Sequence, residues 1–380
     1  KIRASYGATG NQDGISSYAY QAQMSGGRNY GLESGIAVST NGNYDLTWET
    51  ARQFDIGVDL SLLRGKLNIT ADYFIKNTDN LLYSKPEAAT SGFTSIISNI
   101  GSMRNTGLEF LVSTNLTFGK LQWTSEFNIS FVKNKLTSLI GDDALLIGAN
   151  RTLKVGEEVG SHYIYRMLGI YQDDKDVPAS FYASGVRAGD VIYEDVDHNG
   201  IIDVNDRQIV GSSNPDFYGG WNNSFRYNNF DLNFFFTYSY GSEVYASYRL
   251  TTERLGNAFM NIAEKAAKER WTGPGTSNTT PRAIYGYTWN TQNSTRFLED
   301  GSFIRLRSVN LGYTVPASVL SKLRMSRVRV FVQGDNLFLL TNYSGMDPEV
   351  TSDFDPQFMS QDNLILPQLR VINFGVNISF

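Results

Sequence analysis

The sequence contains no cysteine, which removes disulfide staples, thiolate nucleophiles and cysteine-ligated zinc together. No apolar run approaches the roughly 18 residues that a transmembrane helix requires. A β-barrel stays open, because it carries its hydrophobicity on every second residue. Charge is sparse, at 19% of residues, and a net charge of −5 argues against a nucleic-acid partner. His162 and His198 are the only histidines, and neither sits in a nucleophile or metalloprotease pattern. With no nucleophile–base set in view, an enzyme has almost no support. Proline is scarce, 9 against 35 glycines, as suits a turn-rich β protein. A start methionine and a signal peptide are also missing: Lys1-Ile2-Arg3-Ala4-Ser5-Tyr6 is already in strand phase. The chain is therefore expected to be a piece of a longer protein.

What the chain has is alternation. Phe54, Ile56, Val58, Leu60 and Leu62 alternate with Asp55, Gly57, Asp59 and Ser61. After Arg64-Gly65, Leu67, Ile69, Ala71, Tyr73 and Ile75 alternate with Asn68, Thr70, Asp72 and Lys76. Successive strand residues point to opposite faces, so this is a hairpin with one apolar and one polar face. A second hairpin sets Leu108, Phe110, Val112, Thr114 and Leu116 against Leu121, Trp123, Ser125, Phe127, Ile129 and Phe131, with the turn expected at Phe118-Gly119. A third joins Phe217–Tyr227 to Phe230–Tyr240 through Asn228-Asn229, and its apolar face is nearly all aromatic: Trp221, Phe225, Phe230, Phe234, Phe236, Tyr238 and Tyr240. In a fourth, Phe303–Thr314 with Arg327–Phe338, the apolar parity switches. That predicts either a β-bulge near Arg307–Ser308 or two arginines lying above a membrane. Pro367–Phe380 reads as a last strand that ends on an aromatic in apolar phase.

Short turns alternate with long connections: Asn77–Ser102, Lys135–Pro215, Gly241–Arg296 and Leu340–Leu366 are long, whereas Arg64-Gly65, Phe118-Gly119 and Asn228-Asn229 are short. Outer-membrane barrels sort short turns to the periplasm and long loops to the exterior, and a soluble sandwich has no reason to. We therefore expect an all-β fold, a transmembrane antiparallel β-barrel, with long extracellular loops. About ten strands are present, close to the C-terminal half of the roughly 22 of a large plugged transporter. One amphipathic surface helix is expected over about Thr252–Trp271, where Leu255, Phe259, Ile262 and Ala266 recur at helical spacing, and a short strand pair over His162–Tyr171.

Several strings stand in a specific order: Thr9-Gly10-Asn11-Gln12, Leu46-Thr47-Trp48-Glu49, Asn99-Ile100-Gly101, Pro281-Arg282-Ala283, Asp300-Gly301-Ser302-Phe303, Asp335-Asn336-Leu337-Phe338 and Tyr343-Ser344-Gly345-Met346-Asp347-Pro348. In this order the chain resembles SusC/RagA-type TonB-dependent outer-membrane transporters along essentially its whole length. The resemblance implies a Gram-negative outer-membrane location, an N-terminal plug absent from this sequence, and energy coupling to TonB through the missing region. It also implies import of large nutrients such as oligosaccharides or oligopeptides, under a SusD-like surface lipoprotein acting as a lid.

One stretch carries metal chemistry. Asp195, Asp197, Asn199, Asp203 and Asp206 fall at positions 1, 3, 5, 9 and 12 of a calcium-type loop, with Gly200 at 6 and Ile201 offering a backbone carbonyl at 7. A structural Ca²⁺ is expected within a 190–210 insertion of an extracellular loop. Asp206 replaces the usual glutamate at 12, whose reach is longer. The other acidic pairs, Asp142-Asp143 and Asp173-Asp174, read as solvated loop. Tyr285, Tyr287 and Trp289 could stack on a sugar ring, touch the lid or pack in the loop. Asp72, Glu109, Glu126, Arg226 and Asp231 are expected to form networks inside the lumen. The alternative reading is a secreted, calcium-stabilised glycan-binding or adhesion module, which would bury the Phe230–Tyr240 stripe in its core.

Overall fold

The computed structural model describes residues 1–380 except 14, 142–143, 148–149, 257–260, 321–324 and 351–359. Ten strands form one antiparallel sheet in simple neighbour order: β1 (Ile2–Asn11), β2 (Glu49–Leu62), β3 (Leu67–Asp79), β4 (Gly101–Phe118), β5 (Leu121–Leu139), β6 (Phe217–Tyr227), β7 (Phe230–Tyr240), β8 (Phe303–Thr314), β9 (Arg327–Thr341) and β10 (Val371–Ser379). β1 and β10 are the two edges, so the sheet is open.

Residues directly opposed in an antiparallel pair share a face. One register row reads Leu60, Ile69, Val112, Phe127, Trp221, Phe236, Leu306 and Phe338 across eight consecutive strands. The alternation of each strand thus becomes a continuous apolar surface. Among the described residues no second layer covers it: Phe230 is 53% exposed, Val376 57% and Phe374 82%. Among the buried apolar side chains of the described residues, Leu136 alone belongs to a strand of the ten-stranded sheet, and it lies at the loop end of β5. The others sit in the connections. A water-soluble sandwich would need this face as its core, so the alternative module is excluded by the packing.

The opposite, polar face is hydrogen-bonded. Arg3 bridges Asp59 and Asp72, each at 2.9 Å, and Arg329 pairs with Asp231. Glu109, Glu126 and Arg226, expected in the same networks, form no ion pair among the described residues.

Turn chemistry sets the short end. Leu63, Arg64 and Gly65 all have positive φ between Leu62 and Leu67. Phe118 pairs with Leu121, so the second turn is Gly119-Lys120, one residue later than expected; Gly119, at φ +60, fits a backbone conformation that disfavours phenylalanine. The bulge is the alternative realised in β8: Leu306 and Ser308 are paired and Arg307 is extra. It turns Arg307 onto the polar face, where its guanidinium meets Thr237 and Glu349.

The strands overrun their expected ends on the loop side. β1 continues to Asn11, β3 to Asp79 and β5 to Leu139. Beyond the apolar belt the outward positions turn polar and alternation fades, yet the ladder of backbone hydrogen bonds continues. Three connections differ from expectation. Thr252–Trp271 is not one helix: α2 (Ser247–Thr252) and α3 (Glu264–Glu269) flank a break, while α1 (Ala179–Ala183) and α4 (Ala317–Leu320) are elsewhere. Leu255 and Gly256 take φ of 46° and 110°, which no helix accommodates, and Phe259 falls outside the described residues. His162–Tyr171 is not a strand pair: 161–165 pairs with 207–212, and 167–170 with 191–193. The last strand begins at Val371 rather than Pro367.

Candidate functional site

The long connections gather into a packed layer at one end of the sheet. Tyr171, Val177, Phe181 and Val186 form one cluster, and Tyr165, Val191 and Tyr193 another; Ile202 and Trp289 pack against both. The Trp289 ring lies 5.7 Å from Phe181 and from Tyr193, and its indole N–H donates to the Val191 carbonyl at 2.9 Å. Trp289 therefore packs half-buried against both clusters, and Tyr287 donates to Asp190 at 3.2 Å. Of the three loop aromatics only Tyr285, 82% exposed, is free to meet a ligand or a lid.

The acidic loop is pinned to this layer by Ile202, the apolar residue at position 8. Asp195, Asp197 and Asp206 bring carboxylate oxygens within 4.8 Å of one another, the one such trio among the described residues. Backbone N–H groups shape the turn: Gly200 donates to Asp195 at 2.9 Å, Asn199 to Asp197 at 3.1 Å, and Val196 and Asp203 to the two oxygens of the buried Asp206 at 2.8 Å. Gly200 sits at φ +78, the sharp turn that position 6 demands. His198 is a positive-φ residue of the turn. Asn199 accepts from Ile201 N–H. Asp203 faces elsewhere, accepting from Asn205 as the cap of a short 3-10 turn. The structure thus gathers positions 1, 3 and 12 and leaves position 9 as a cap. Asp142-Asp143 lies outside the described residues; Asp173 caps a turn by accepting from Lys175.

Two buried nodes escaped the sequence reading. Asp190, fully buried, accepts both Arg282 guanidinium bonds at 2.8 Å, the Asn290 amide at 2.9 Å and the Arg187 backbone N–H at 2.8 Å. Arg249 pairs with Glu253 and Glu299, each at 2.7 Å, and Arg296 joins through Glu253 at 2.9 Å. The side-chain partners lie 43 to 100 residues apart except for the Arg249–Glu253 helical step, so no local pattern announces them. The sole hint was Arg282 within its Pro-Arg-Ala string. Where the layer meets the ends of β6–β8, a cleft of about 540 Å³ is lined by Asp216, Glu243, Glu299, Asp300 and the lone cation Arg166. Burial pushes the Glu243 carboxyl up.

His162 lies fully buried in the layer, its Nε2 3.3 Å from the Glu243 carbonyl and its ring beside Tyr245. Burial, reinforced by neighbouring Arg151, holds it down to about 3 against an ordinary 6.5. The unfolded state then binds more protons between those values. Stability is fully present above pH 6.5 and is lost as pH falls toward 3. At pH 4.5 the loss is about 2–3 kcal/mol. Hydrogen exchange should show the layer losing protection between pH 7 and 4.5 in the native chain, with a smaller step in His162→Gln. An equal step in both would refute the assignment to His162.

Residues 1–337 match the family model described as TonB dependent receptor-like, beta-barrel. TonB-dependent receptor P3 of Formosa agariphila is 35% identical over 401 residues, covering 100% of this chain and 39% of its own length. TonB-dependent receptor SusC of Bacteroides thetaiotaomicron is 26% identical over 389 residues, 93% of this chain and 36% of its own. A solved structure of the RagAB peptide transporter superposes with a TM-score of 0.85 at 23% identity, over 100% of this chain and 40% of that one, a likeness of fold. The chain spans about 39% of the length of the first of these curated relatives.

Proposed function

Because this chain belongs to the TonB-dependent receptor-like β-barrel family of the outer membrane, we propose that it is the C-terminal barrel portion of a SusC/RagA-type active importer. In this reading a plug and a TonB-contacting region precede residues 1–380 in the complete protein. The observation that carries it is the sheet itself, with an uncovered apolar face, a hydrogen-bonded polar face, and a structured loop layer at one end only. That is the architecture of a membrane wall around a lumen with a built external mouth. The cargo is a large nutrient, an oligosaccharide or oligopeptide, and a SusD-like lipoprotein closes over the loop layer. RagAB is a peptide transporter by name, but at 23% identity that likeness is one of fold, so both cargo classes stay within the proposal. The complete receptor should co-purify with a lipoprotein of that kind, and mass spectrometry of the native complex should find an oligomeric nutrient. Cells lacking the receptor should lose uptake of that nutrient; unchanged uptake would contradict the proposal.

We also propose that Asp195, Asp197, Asn199, Ile201 and Asp206 hold a structural Ca²⁺, with Asp203 at the ninth position reaching it through water. The ion would neutralise clustered carboxylates and fix an external loop, with no catalytic part. Calorimetry should give a binding heat for the native chain and none for Asp195→Asn/Asp206→Asn. No heat above buffer in the native chain would remove the site.

A further inference from the structure

Charge is all but absent from the outward face of the ten strands, and where it occurs it is gathered in one place. Register assigns Arg52, Asn77, Arg104 and Lys135 to a single row across β2–β5, directly opposed strand to strand. The next row toward the membrane reads Phe54, Ile75, Thr106 and Lys133, and the one after it Ile56, Tyr73, Leu108 and Phe131. The first uncharged row therefore begins within roughly 7–14 Å of the cations along the strands. All four cations are exposed. Asp79 is the one carboxylate on this stretch of the face, and it pairs with Arg52 at 3.1 Å. Asn77 accepts from Arg104 at 2.7 Å and fixes its guanidinium. Among the described residues Arg104, Lys133 and Lys135 enter no ion pair. On the polar face, by contrast, Arg3 and Arg329 are matched to carboxylates.

We propose that Arg52, Arg104, Lys133 and Lys135 form a headgroup site for a phosphate-bearing lipid of the outer leaflet. The site rests on the outer-membrane placement of the sheet, with its long connections outside, and is independent of what is transported. The charge itself selects the occupant. On the strands themselves four cations stand against one carboxylate where the apolar belt ends on the loop side, on a chain of net charge −5; Glu157 and Glu158 of the loop layer line a cleft that Lys133 also borders. Side chains at that height reach the headgroup level, their apolar stems lying along the belt and their charged ends in the polar layer. Three strand spacings separate Arg52 from Lys135, roughly 14 Å, wide enough for a headgroup carrying two phosphates. Arg104, oriented by Asn77, offers a planar fork for one phosphate, and the lysines act as point charges.

The test uses the complete receptor, delipidated in detergent, and bisphosphorylated lipid A as probe. Native protein should bind the probe, and binding should weaken as salt is raised. Arg52→Gln/Arg104→Gln/Lys133→Gln/Lys135→Gln should bind at least tenfold more weakly, since each surface cation contributes roughly a fivefold factor. Lys76→Gln/Lys120→Gln, which removes cations from the polar face and from a short turn, should bind as native does. Heat-modifiable mobility shows that each variant is folded. Equal binding by the quadruple variant overturns the proposal, as does displacement of lipid A by equimolar inorganic phosphate, which would make the row a free-anion site. Nutrient uptake by the same variants reads the transport proposal separately.

Discussion

Phe234→Arg is expected to cost about 2–4 kcal/mol and to deplete folded receptor from the outer membrane, while Asn233→Arg, one residue away, leaves it near native levels. Phe234 is in the middle of β7, on the outward face, with its ring about 6 Å from those of Trp221, Phe225 and Phe236. An arginine there is too far from either interface to place its charge in water cheaply. It also removes an aromatic contact from three neighbours. Asn233 points to the polar face and donates to Asn222 at 3.1 Å. An arginine at that position meets water and other polar groups. The measurement is the fraction of heat-modifiable, protease-resistant receptor in isolated outer membranes. Similar losses in the two variants would mean that the two faces are not differently solvated.

Asp190→Ala is expected to destabilise the loop layer by about 3–5 kcal/mol and to leave the barrel strands intact. The fully buried carboxylate compensates Arg282, which is itself only 26% exposed, and satisfies Asn290 and the Arg187 N–H at once. Removing it strands a mostly buried guanidinium and takes an acceptor from three further donors, the Asn290 amide, the Arg187 N–H and the Tyr287 hydroxyl. Arg282→Ala should cost a comparable amount by leaving the carboxylate buried without its partner. The double variant should cost clearly less than the sum of the two, because the bond is counted once. Hydrogen exchange over 165–193 and 278–293 reads the effect against β6–β9 in the same sample. Additive costs would show that the pair is not coupled.

The sheet was legible because lipid and lumen impose a period of two on every strand, and the period survives in residues such as Ile69, Val112 and Phe127 without any knowledge of partners. The Arg307 bulge was visible for the same reason, as a break in that period. Lipid solvation stops at the belt, and so did legibility. The overrun of β5 to Leu139 rests on backbone hydrogen bonds, to which any residue contributes. The loop layer obeys long-range packing instead. Leu255 and Ala266 share helical spacing, yet Gly256 turns the chain between them and each is buried in its own surroundings. Asp190 and Arg282 could not be matched from sequence, because their meeting depends on two connections folding together. The acidic loop lies between these extremes: its spacing is local and readable, but the turning of Asp203 into a cap follows from the 3-10 turn behind it.

Residues 1–380 contain no cysteine, so a cysteine placed among them is their one thiol, and its labelling tests most directly whether hydrocarbon solvates the outward face. Phe234→Cys and Asn233→Cys receptors, in intact outer membranes, would be exposed to a water-soluble maleimide and, separately, to a lipid-soluble one. Asn233→Cys should react with the water-soluble reagent and Phe234→Cys only with the lipid-soluble one. Rapid water-phase labelling of Phe234→Cys, with Asn233→Cys protected, would contradict the membrane-wall account.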